Sequence, residues 1–125
     1  MLPEEVKERL DLLVNSKQIK PDTRKKVWES LCQLERQGYL DPTNESIGPF
    51  TNHLAIAAER ISKGEPITEI NEQVNEVVRD HPELNREAEK ILRQCIQDSE
   101  AEVPTAETGF VALYLALLRK HPKVD

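Results

Sequence analysis

Aromatic residues make up only 4% of this 125-residue chain, and glycine occurs four times. With so few aromatics, Leu, Ile, Val and Ala must fill any core. With so few glycines, little is left to build a phosphate or dinucleotide cradle, which needs close backbone approach. No G-x-S-x-G, no H-E-x-x-H and no close set of metal-ligating residues occurs, so no catalytic constellation, metal or cofactor is expected. The two cysteines, Cys32 and Cys95, lack a CxxC partner and fall at positions of helical apolar periodicity. They read as buried thiols in a reducing compartment rather than as a disulfide. The longest apolar run, Phe110 to Leu118, has nine residues, well short of the ~20 that span a bilayer. MLPEEVKERL is charged from its fourth residue, unlike a secretory signal. A cytoplasmic protein without membrane association is expected.

Positive charge is also short. The net charge is −6, and all of the acidic excess lies in residues 41–125, which hold nine Lys/Arg against sixteen Asp/Glu. Arg24-Lys25-Lys26 is the one basic cluster, and three like charges at a helix start read as a solvated face. Nucleic-acid binding draws on clustered cations that displace counterions from phosphates, so direct contact with DNA or RNA is not expected.

What remains is helical periodicity throughout, with no strand-like alternation. The class is all-α, a compact bundle of five to six helices. Val6, Leu10 and Leu13 mark one face of a first helix from about Pro3 to Val14. A second starts at Pro21-Asp22, turns Val27, Leu31 and Leu34 inward, and ends before Gly38. Residues 1–45 thus read as a helical hairpin, too small to stand alone and therefore part of the same domain as the bundle of residues 46–125. The polar stretch Asp41 to Gly48 connects the two. A third helix, about Ser46 to Lys63, buries Phe50, Leu54, Ala57 and Ile61, with Gly64 at its end. Pro66 opens a fourth with Ile67, Ile70, Val74 and Val77 as its stripe, and His81-Pro82 breaks the chain again. A fifth carries Leu84, Ala88, Ile91 and Cys95, followed by an acidic loop from Gln97 to Glu102. The last, FVALYLALL, is apolar all round and belongs at the bundle's centre or at a dimer interface. Trp28 and Phe110 read as core residues.

Three histidines are the main candidates for chemistry. His81, before a proline, suits a turn or cap, and His121 lies in the polar tail RKHPKVD. His53 lies at the edge of the third helix's apolar stripe, with Arg60 two turns on, about 10 Å along the same face. Asn52 and Glu59 stand next to these positions and could orient the ring or the guanidinium. Such a histidine can be a satisfied structural residue. A neutral imidazole nitrogen is also a nucleophile at cytoplasmic pH.

Two stretches carry a family resemblance. His53, Leu54, Ala57, Arg60 and Gly64 form an H-L-x-x-A-x-x-R-x-x-x-G pattern similar to the first histidine motif of the PTS regulation domain (PRD). Pro104, Glu107, Gly109, Phe110, Val111, Ala112 and Leu113 resemble its second motif. Both stand in order, and the resemblance covers about residues 46–122. It implies a helical bundle forming symmetric dimers, with histidines phosphorylated by phosphocarrier proteins of the sugar phosphotransferase system. Carried onto this chain, it makes His53 the phospho-acceptor, with Arg60 as a counter-charge for phosphate. The family's second histidine would follow Leu113, where this chain has Tyr114, a phenol that does not take phosphate from such a carrier. Family members usually carry two such domains beside a nucleic-acid-binding module. A single domain would act on expression through another protein.

Three functions follow in order of expectation. The first is a phosphorelay-responsive regulatory module in transcriptional or metabolic control, a homodimer switched at His53. The second is a degenerate module that no longer takes phosphate and serves in binding or dimerisation. The third is a small enzyme with His53 as general base, assisted by Glu59 or Glu107.

Overall fold

The computed structural model describes residues 2–96 and 101–118. It contains α1 (Glu4–Asn15), α2 (Pro21–Arg36), α3 (Ile47–Ser62), α4 (Glu72–Asp80), α5 (Pro82–Cys95) and α6 (Thr105–Leu118), with no strand among the described residues. All the apolar residues expected to face inward from the first three helices and from α5 are buried. Three of the helix ends share one geometry. At Lys17, Gly38 and Gly64 the backbone turns to positive φ (63°, 83° and 75°). The next N–H then reaches back to the carbonyl of Leu13, Leu34 or Arg60. These are Schellman closures, which glycine enters without strain and lysine does not.

The fourth helix departs from expectation. It begins at Glu72, not Pro66, because Asn71 caps it by accepting the Val74 N–H at 2.8 Å. Residues 65–71 form a non-helical strap, with Ile70 43% exposed and Ile67 half-buried. The strap is held by the Ile67 N–H, which donates to Glu107 at 3.0 Å. A periodic apolar pattern loses here to a buried carboxylate that takes the segment's backbone donor.

α3 is the most enclosed helix, packing against α1, α2, α5 and α6. The apolar α6 packs on α3, α4 and α5. One side of it stays open: Leu117 is 53% exposed, and Phe110, Leu113 and Tyr114 are half-buried. Gly109 lets α6 approach α4, since a Cβ there would strike the Val74 side chain. The α2–α3 loop closes the far end of α6. The Asp41 N–H donates to the Leu118 carbonyl at 2.9 Å, and the Asn44 amide to the Leu117 carbonyl at 2.9 Å.

Smaller corrections follow from burial. Trp28 is half-buried with the Lys7 ammonium 5.5 Å from its ring centre, and Phe110 is also half-buried. Cys32 is half-buried too, whereas Cys95 is buried beside the Ser30 hydroxyl, and burial pushes its thiol up to about 12. Neither cysteine forms a disulfide. Within the basic cluster, Arg24 pairs with Asp11 at 2.6 Å and Lys26 with Asp22 at 3.3 Å, so two of its three charges are already countered. His81 joins α4 to α5, as its proline predicts. His121 and residues 97–100 of the acidic loop lie outside the described residues. No helix among the described residues is long and apolar enough to cross a membrane.

Candidate functional site

α3 and α6 bring the two sequence motifs together. His53 on α3 lies against Phe110 and Tyr114 of α6, ring centres 5.6 and 5.3 Å away and planes tilted by 48° and 45°. Phe50, one turn earlier on α3, supports Tyr114 from below at 5.5 Å. Tyr114, which the motif resemblance sets at the second histidine position, therefore lies against His53. His53 is half-buried, and its Nε2 is buried without a hydrogen-bond partner. Burial lowers its pKa below the ordinary 6.5, the Arg60 charge lowers it further, and Glu107 works against both. The ring is neutral at pH 7, with a lone pair available on one nitrogen.

Two turns along α3 the same interface holds an ion pair. Arg60 forks onto the fully buried Glu107 of α6, Nε to Oε2 at 3.2 Å and Nη2 to Oε1 at 2.9 Å. Oε2 also accepts the Ile67 N–H. Glu107 sits in the first turn of α6, where the helix dipole favours a negative charge. Arg60 thus reaches the site with two of its donors already used by a carboxylate, which qualifies its expected role as a free counter-charge.

Glu59 lies elsewhere. Its buried carboxylate accepts the Thr23 hydroxyl at 2.6 Å and the Lys20 N–H at 2.9 Å, at the start of α2. It cannot orient the imidazole. With Glu107 locked on Arg60, neither proposed assistant of an acid–base enzyme reaches His53. Among the described residues no three His, Cys, Asp or Glu side chains gather as a metal site.

An open cleft of about 360 Å³ leads to the ring, lined by Arg9, Pro49, Asn52, His53, Ile56, Arg60 and Tyr114. Arg9 comes from α1 and was not visible as a site residue, because in sequence it reads only as the exposed i,i+4 partner of Glu5. Asn52 faces the cleft with its Oδ1 buried and unpartnered.

Fold and site define a small all-α bundle organised around one neutral histidine on its central helix. The chain belongs to the PRD domain family, whose model matches residues 28–117, from the middle of α2 almost to the end of α6. PRD domains are the regulation modules of sugar phosphotransferase systems, regulatory rather than catalytic. No curated protein and no solved structure matches the chain. α1 and the first turns of α2 lie outside the matched stretch, and Arg9 with them.

Proposed function

We propose that this chain is a phosphorelay-responsive regulatory module, not an enzyme, and that His53 is its one phospho-acceptor. The carrying observation is the neutral imidazole with an unpartnered nitrogen, wedged between Phe110 and Tyr114 at the α3–α6 crossing. A phosphocarrier of the sugar phosphotransferase system supplies the phosphoryl group. A His53 ring nitrogen attacks phosphorus as the N–P bond to the carrier's imidazole breaks. His53 gives up its ring proton to solvent, and the carrier's imidazole takes one back.

Each aromatic contact of the ring is worth about 0.5–1.5 kcal/mol, while a buried unpartnered nitrogen costs about 1–3 kcal/mol. The unmet bond offsets these ring contacts and leaves the burial of the ring surfaces to hold the clamp shut. A phosphoryl group of nearly two negative charges cannot stay between two aromatic rings, and its arrival forces them apart. Phe110 and Tyr114 also begin the α6 stripe that continues through Leu113 to the exposed Leu117. Repacking them remodels that stripe, which we assign to a cytoplasmic homodimer whose association responds to phosphorylation. The acidic surface argues against direct nucleic-acid contact, so control of transcription or metabolism passes through another protein.

The test is to incubate the chain with phosphoenolpyruvate and the phosphocarrier relay and to read intact mass at alkaline pH. One added phosphate that vanishes in His53→Ala is expected. A second reading, a binding module that takes no phosphate, is favoured by Tyr114 in the second motif and by the prior engagement of Arg60 with Glu107. An unlabelled chain beside a labelled control domain would select it.

A further inference from the structure

We propose that Arg9 is the second arm of a phosphoryl-binding site at His53, held in reserve by Glu5. The proposal rests on reading His53 as the acceptor and adds a residue from outside the family-matched stretch. Arg9 lines the same cleft as His53 and Arg60. A phosphoryl group is best recognised by a guanidinium offering two parallel donors. Arg60 has its Nε and Nη2 on Glu107, so it contributes charge to the cleft with its fork already engaged. Arg9 is bound far more loosely. Its Nε donates to Glu5 Oε1 at 2.9 Å, with the two side chains 34% and 48% exposed. Exposed pairs of this kind are the weakest in proteins and are readily exchanged for a stronger anion.

Gly48 gives the guanidinium its seat. It lies in the first turn of α3, one turn before Asn52. A Cβ there would strike both the Glu5 carboxylate and the Arg9 guanidinium. The missing side chain lets the pair close onto α3, with Arg9 lining the His53 cleft. In the resting protein Glu5 fills the anion's place on Arg9. When His53 carries phosphate, the more highly charged phosphoryl oxygens replace it.

Inorganic phosphate is the probe. The full chain is titrated at pH 7 and fixed ionic strength while NMR follows the His53 ring and the Arg9 Nε–H. Saturable, concerted shifts of both signals are expected. R9Q weakens binding about tenfold, R9K by less because it keeps the charge without the fork, and E5Q tightens it. G48A weakens it as well, by dislodging the guanidinium while leaving every charge in place. Equal affinity in wild type and R9Q, or no saturable response in wild type, overturns the site. Labelling by the phosphocarrier separates the two readings. A labelled wild type whose phosphoryl half-life is unchanged in R9Q removes Arg9 and keeps the acceptor. An unlabelled chain that binds phosphate through Arg9 keeps the anion site and removes the acceptor.

Discussion

The α3–α6 interface has two ends that solve the same problem in opposite ways. At one end Arg60, Glu107 and the Ile67 N–H satisfy one another, and the buried charge has three donors. At the other end, two helical turns away, an imidazole sits between two rings with Nε2 unpartnered. Buried polar groups in folded proteins are nearly always paired, so an exception needs a reason. The paired end fixes helix position and captures the strap before α4. The unpaired end leaves a neutral imidazole that has no hydrogen bond at Nε2 to hold it in place. Under the proposed function, structure and signalling are divided along a single helix, although Arg60 and Glu107 still act electrostatically on the His53 ring.

Substitutions at the two ends therefore have very different consequences. E107A has the largest expected effect, a loss of about 3–5 kcal/mol in urea unfolding, because it strands Arg60 and the Ile67 N–H. A loss below about 1 kcal/mol would abolish the contrast, since that is the scale of an exposed pair. G109A comes next. Its new methyl meets Val74, whose branched side chain turns stiffly, and overpacking costs about 1–3 kcal/mol, less up to about 1 kcal/mol gained in helix propensity. At the other end, H53F stays within about 1 kcal/mol of wild type, because the lost imidazole had an unmet bonding need. The smallest effect is in pH dependence. The folded state holds the His53 pKa below 6.5, so the unfolded chain binds the extra proton first. Stability from this group is complete above pH 6.5 and falls as pH drops from there towards the folded value. Subtracting the H53F profile from the wild-type profile isolates the contribution, and a difference of opposite slope would contradict a neutral ring.

Most of the fold was legible in the sequence because its apolar residues recur at helical spacing and glycine and proline mark the ends. Ile67 and Ile70 misled, since periodicity cannot register that Glu107, forty residues away, takes the Ile67 N–H. The all-apolar α6 suggested either the bundle's centre or a dimer interface, and its composition could not tell that one side is left open by this chain. Within the site, the motif resemblance brought His53 and the position of Tyr114 into one frame, and the structure puts them in contact. It did not reveal that Arg60 and Glu107, one from each motif, are partners. Nor did it distinguish Glu59, buried against the start of α2, from Glu107, buried against Arg60. Arg9 was illegible because its place in the cleft depends on α1 packing against α3 at Gly48.

The most direct measurement is to map the phosphoryl group after labelling by the phosphocarrier relay, using fragmentation mass spectrometry under alkaline conditions. One phosphate on His53, with His81 and His121 unmodified, is the expected result. A phosphate on either of those two histidines, or none at all beside a labelled control domain, would contradict His53 as the acceptor.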